Sequence, residues 1–204
     1  EPKALAPKAE VTAIGNSEDQ MFVASGKYVV VFDAKGAELG RHLVGTGVSA
    51  VTRIDAHRLG VGFADGNLAL VDTRLTSVDA RARDAISFDQ TPSSVVTRLL
   101  PGPMDTLVAG FASGVVGMWS LNDGKRLAED RRHGAIEHLM LADRKLYAAT
   151  GLGQHLVWDL STFYAEWCAL LEEVWHRVPV VWKSGRAVAA PPPESHICHR
   201  SGTN

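Results

Sequence analysis

Four stretches of the chain can be laid over one another, and this repetition constrains the fold more than any other feature. They are Phe22-Val-Ala-Ser-Gly-Lys-Tyr-Val-Val-Val-Phe-Asp33, Gly60-Val-Gly-Phe-Ala-Asp-Gly-Asn-Leu-Ala-Leu-Val-Asp72, Val108-Ala-Gly-Phe-Ala-Ser-Gly-Val-Val-Gly-Met-Trp-Ser120 and Tyr147-Ala-Ala-Thr-Gly-Leu-Gly-Gln-His-Leu-Val-Trp-Asp159. Each is a strand of small residues, a Gly-containing turn and a second strand. A large apolar residue and then Asp or Ser close the unit. The closing apolar positions Phe32, Val71, Trp119 and Trp158 lie 39, 48 and 39 residues apart. A period of roughly 40–45 residues is that of a β-propeller blade. The longer second interval places an insertion near residues 80–93 or at Pro101-Gly-Pro103, where turn formers gather.

The local chemistry agrees with that period. From residue 11 to 160, short runs of Val, Leu and Ala alternate with Gly, Asp, Asn and Ser, the texture of many short antiparallel strands. Gly in the turns permits the positive φ of tight hairpins. The small residues Ala24, Gly62, Gly110 and Ala149 let neighbouring blades approach, and the following Trp or Phe fills the space between them. The expected fold is all-β, a propeller with about four recognisable blades. A β-sandwich with coincidental spacing is the alternative.

The segment from Leu107 to Leu141 resembles a complete WD40 repeat. Its strand–turn–strand is followed by Leu121-Asn-Asp-Gly-Lys-Arg-Leu127. Arg132-His133-Gly134 then leads into the next inner strand. Leu59 to Asp72 fits the same pattern with its Asp65-Gly66 turn intact, and Trp158-Asp159 is the one literal Trp-Asp pair. Elsewhere the pair has become Phe32-Asp33, Val71-Asp72 and Trp119-Ser120, so the family's Asp–His–Ser–Trp hydrogen-bond network is incomplete and the repeat is diverged, of a bacterial type. The resemblance assigns structural roles to Asp65, Gly66, Trp119, His133, Trp158 and Asp159, with the His133 side chain bonding to the turn.

Four blades raise a problem of closure, because an open array leaves an apolar face and an unpaired edge in water. Upstream blades, a second chain or a C-terminal seal would each solve it. Residues 1–10, with two prolines and no periodicity, read as a linker and not as a sealing strand. The chain begins at Glu1 and not Met, which suits a fragment or a processed product.

After Asp159 the pattern changes, so residues 161–204 form a C-terminal extension expected to pack on the propeller. Ser161 can cap a helix whose face is Phe163, Trp167, Leu170, Leu171 and Val174, ending before Pro179. Val178–Trp182 and Arg186–Ala190 read as a hairpin, and Val178–Trp182 could supply the outer strand that the last blade lacks. Pro191-Pro-Pro193 is a stiff segment. This tail resembles those of bacterial WD40 proteins, some fused to Ser/Thr kinases or proteases, through Cys168–Trp175, Val178–Trp182 and Pro191–Cys198. Its two cysteines leave three arrangements open: separate thiols, a disulfide, or a metal site of Cys168 and Cys198 with His196, His199 or His176. The spacing matches no standard zinc motif.

Charge and motifs exclude several functions. A net charge of −2 provides no basic footprint for nucleic acid. No apolar run approaches a membrane span, no signal peptide is visible, and two cysteines favour a reducing cytoplasm. No cofactor is expected. The Gly60–Gly66 run leads into a strand, so it offers no helix N-terminus to a phosphate. There is no P-loop, His-Glu-x-x-His or Gly-x-Ser-x-Gly sequence. Glu129-Asp-Arg-Arg132 reads as a solvated charged face. The expected function is a non-enzymatic protein–protein interaction scaffold or sensor. Its partner would be another protein or an upstream domain of the same polypeptide, or a second copy completing the ring. The alternatives are a regulatory or substrate-recruiting part of a kinase or protease, and a metal- or redox-sensing tail.

Overall fold

Tight turns after about six residues make every repeat an antiparallel meander. In a computed structural model, which describes residues 10–16, 20–45, 47–74, 86–191 and 196–200, the chain divides into two compact units, Glu1–Asp159 and Leu160–Asn204. The first unit is a series of four sheets. Blade 1 is β1 (Val11–Asn16), β2 (Gln20–Ser25), β3 (Tyr28–Asp33) and β4 (Glu38–Leu43). Blade 2 is β5 (Val48–Arg53), β6 (Arg58–Phe63) and β7 (Leu68–Asp72). Blade 3 is β8 (Val96–Gly102), β9 (Thr106–Phe111), β10 (Val115–Ser120) and β11 (Arg126–Arg131). Blade 4 is β12 (Ile136–Ala142), β13 (Lys145–Thr150) and β14 (His155–Asp159). The inner strands β1, β5, β8 and β12 lie side by side in chain order, which is the propeller arrangement. No packing of comparable extent joins β12 back to β1.

The joint between blades is itself a repeat. Every inner strand carries a β-bulge at its start, between Val11 and Ala13, Val48 and Ala50, Val96 and Arg98, and Ile136 and His138. The apolar residue ahead of the bulge packs on a small residue of the preceding blade. A Cβ on Gly62 would stand 2.5 Å from Val96 Cγ1, and one on Gly110 would stand 2.5 Å from Ile136 Cγ2. Glycine is required there for close approach. The bulged residue adds a polar staple. The Ser49 hydroxyl donates to the Val96 carbonyl (2.7 Å), and the Thr97 hydroxyl donates to that of Ile136 (2.6 Å).

Apolar clusters fill the spaces between sheets. Phe22, Ala24, Val29 and Val31 of blade 1 meet Val48, Val51, Leu59 and Val61 of blade 2. Ala50 and Leu68 meet Leu107, Phe111 and Trp119 of blade 3. Trp119 is fully buried, stands edge-on to Phe111 at 5.9 Å, and donates from Nε1 to the Asp89 carbonyl.

Pro101 and Gly102 belong to β8 and Pro103 to the turn after it, so that place holds no insertion. The other expected place, residues 80–93, lies partly outside the described residues. Its described part, from Ile86, packs Phe88 among the blade 2–3 core. Residues 1–9 of the expected linker also lie outside the description.

In the second unit, Ser161–Tyr164 is a 3-10 turn. The helix α1 runs Trp167–Arg177 from Glu166. Ser161 is therefore not its cap, because extended Ala165 separates the two turns. The less exposed helix residues are Cys168, Leu170, Leu171 and Trp175, so Leu170 and Leu171 of the expected face are among them, while Trp167 and Val174 are exposed. Cys168 is bonded to Cys198, and Trp175 meets the His196 ring edge-on at 4.8 Å, so two residues outside the expected stripe join its Leu170 and Leu171 on the less exposed side. The hairpin is β15 (Val180–Lys183) and β16 (Arg186–Ala189) around Ser184-Gly185; a last helical turn, α2, spans Ile197–Arg200. The hairpin strands pair with each other and not with β14, so they do not supply blade 4 with an outer strand. No helix among the described residues is long and apolar enough to cross a membrane.

Candidate interaction surface

In a meander, the first and third turns of each blade emerge at one end and the second turn at the other. The first end is built from polar turns. Asp33 Oδ1 accepts from the Lys35 and Ala37 amides, Asp72 Oδ1 from the Arg74 amide, and Ser120 Oγ from the Asn122 amide. The Asp or Ser that closes each of these repeats is thus the residue that folds its own turn. Asp55 does the same in the first turn of blade 2, accepting from His57 and Arg58.

Arg58 ties this end together across two blades. Its Nε donates to Asp55 Oδ2 and its Nη2 to Asp105 Oδ1 in blade 3, each at 2.6 Å. Burial pushes the Asp55 carboxyl up. Hydrogen bonds from the His57 amide, the Arg58 side chain and the Arg58 amide outweigh this and hold it below the ordinary carboxylate value. The Arg74 side chain, with its amide, brings Asp72 down to about 2.

The turns of blades 3 and 4 at this end are strained. Met104 and Asp105 have φ of 49° and 57°, and Asp143 and Arg144 have 50° and 58°. Asp143-Arg144 is a two-residue hairpin loop of the kind that usually carries Asn-Gly, and Met104-Asp105 ends a three-residue one; left-handed non-glycine residues cost about 1 kcal/mol or more each. Met104 is 70% exposed among these charges. The end therefore offers an exposed apolar side chain, fixed carboxylates and guanidinium groups on a rigid frame. The sequence reading missed it, although Met104-Asp105 and Asp143-Arg144 fall at the same place in successive repeats.

The residues singled out from sequence are dispersed. Asp65 folds the opposite-end turn of blade 2 by accepting from the Asn67 amide, with Gly66 buried beside the Pro92 carbonyl at φ +94°. Trp119 is core. His133 is exposed, and its backbone amide, not its imidazole, is the group seen to reach the turn, donating to Gln154 Oε1. Trp158 is half-buried and Asp159 exposed at the end of β14. Cys168 and Cys198 form a disulfide, so neither sulfur is offered to a metal here. His196 Nδ1 accepts from the Cys198 amide, and the His199 side chain lies outside the described residues. Among the described residues no group of three or more His, Cys, Asp or Glu is placed to hold a metal ion.

No protein-family model matches the chain, and no curated protein matches it in sequence. Solved structures do. The computationally designed Ika4 protein is similar with a TM-score of 0.62 at 18% identity, over 78% of this chain and 96% of that one. A chain of the mitotic checkpoint complex matches at 0.60 and 16%, over 75% of this chain and 47% of that one. BamB from Moraxella catarrhalis matches at 0.57 and 17%, over 76% and 48%. These likenesses show the propeller-type fold. The chain spans about half the length of the last two.

Proposed function

We propose that this chain is a non-enzymatic protein–protein interaction scaffold or sensor built on diverged WD40-like blades. The observation that carries the proposal is the end formed by Asp55–Arg58, Met104–Asp105 and Asp143–Arg144. Strain held at exposed non-glycine residues is a mark of functional turns. An exposed Met within fixed charges suits an adaptable peptide or protein contact. The partner is a protein that offers an apolar side chain flanked by charge. The paired cysteines favour an oxidising compartment over the reducing cytoplasm expected from their number.

Site-specific photo-crosslinking tests this reading. A probe at Met104 should capture a discrete protein partner, and a probe at Ala112 in the opposite-end turn of the same blade should not. Arg144→Glu should abolish capture at Met104. Equal capture from both ends would reject this surface.

A further inference from the structure

We propose that the outward face of blade 4 is a blade-to-blade joint awaiting β1 of a second copy of this chain, so that two copies close one ring. This goes beyond the interaction reading and uses a different surface.

The first observation is a break in burial at equivalent positions. Val108, Val116 and Met118 on the blade 3 face toward blade 4 are completely buried. Their counterparts by strand register in blade 4 are Tyr147, His155 and Val157. Tyr147 is half-buried, His155 exposed and Val157 47% exposed. Met140, paired with Tyr147 on the same face, is 55% exposed.

The second observation lies at the other end of the array. Val48, Val96 and Ile136, the residues ahead of the bulge, are 3%, 0% and 0% exposed; their counterpart Val11 is 40% exposed. Ile14 on the same strand is 67% exposed. The two open ends therefore carry the two halves of one device. Ala149 is the small residue that receives, and Val11 is the β-branched residue that inserts. An Ala–Val pair already serves in the joint of blades 1 and 2, where Ala24 and Val48 share one buried cluster.

The joint is head-to-tail, and such a contact closes when the rotation fits a ring. Two lengths of this array make up the length of the computationally designed Ika8 protein, of which the chain covers 47%, and of BamB, at 48%. A second copy adds an equal length with matching bulge and register. The new joint is weaker than the internal ones for two reasons. Glu137 stands where Ser49 and Thr97 carry the staple hydroxyl, and a carboxylate cannot donate to the Val11 carbonyl. Val23, Val30 and Phe32 of blade 1 are already buried, which leaves β1 as the contributing strand. The association is therefore reversible.

Sedimentation velocity of the chain over a range of concentrations tests this. The expected result is exchange between 21.9 kDa and twice that mass. Val157→Lys and Met140→Lys, both at exposed positions, should weaken association about tenfold or more with melting of the monomer unchanged. Glu137→Thr should tighten it roughly two- to tenfold by restoring the staple. A single 21.9 kDa species at every concentration, a larger assembly, or a dimer indifferent to Val157→Lys would each overturn the proposal.

Discussion

Blades 3 and 4 have the same bulge, the same turn positions and the same strand register, yet one is core and the other half surface. Blade 3 has a neighbour on both faces and buries Leu107, Val108, Phe111, Met118 and Trp119 completely. Blade 4 has blade 3 on one face, and it leaves Met140 and Val157 exposed on the other. Between these two blades, burial follows the place in the series more than the sequence. The Trp-Asp pair makes the point. The literal pair, Trp158-Asp159, lies in the half-exposed blade, while the Trp that anchors the core is followed by Ser120.

Substitutions at matched positions can break this comparison. The largest effect is expected at the core Trp. Trp119→Ala should cost about 3–5 kcal/mol in chemical denaturation, and Trp158→Ala clearly less; equal losses would mean the blades are energetically alike. The turn glycines sharpen the contrast. A Cβ at Gly114 (φ +81°) would fall 1.9 Å from the Arg132 carbonyl oxygen, whereas Gly153 (φ +77°) has nothing within 4 Å. Gly114→Ala should therefore cost about 3 kcal/mol or more, and Gly153→Ala only the left-handed penalty of about 1 kcal/mol. The staple comes next. Thr97→Val leaves the Ile136 carbonyl without its hydroxyl and should cost about 1–2 kcal/mol. Glu137→Val in blade 4 should leave the melting temperature of the monomer nearly unchanged.

The smallest effect concerns pH at the polar end. Asp55 and Asp72 titrate below the ordinary value of 3.8. Their contribution is fully present above that value and is lost as pH falls from 3.8 towards about 2. Both groups are largely solvated, so the loss is small. Denaturation midpoints over that window should fall less for Asp72→Asn than for the parent chain.

The sequence carried the blade repeat because its signals are local: a Gly at each hairpin, a small residue before it, a large one after it. The left-handed Gly26, Gly66, Gly114 and Gly153 and the close approaches at Gly62 and Gly110 follow directly from those residues. The hydroxyl staple was also within reach, since Ser49 and Thr97 occupy the same step after a β-branched residue, but its acceptor belongs to the next blade and no single repeat contains it. Asp33, Asp72 and Ser120, each following the large residue, fold their own turns, a role that the pairing with that residue does not announce. The tail was less legible, because one long-range bond between Cys168 and Cys198 and the Trp175–His196 contact add residues that the apolar stripe does not contain. Its hairpin forms a separate sheet, which strand propensity alone does not distinguish from an added outer strand.

The described joints stop at blade 4, whose outward face leaves Met140 and Val157 exposed. Methionine oxidation tests that exposure directly, because peroxide reaches exposed thioethers first. Site-resolved rates are measured by mass spectrometry on dilute chain. Met104 and Met140, 70% and 55% exposed, should oxidise readily while fully buried Met118 resists. Protection of Met140 equal to that of Met118 at the lowest concentration would contradict the open face.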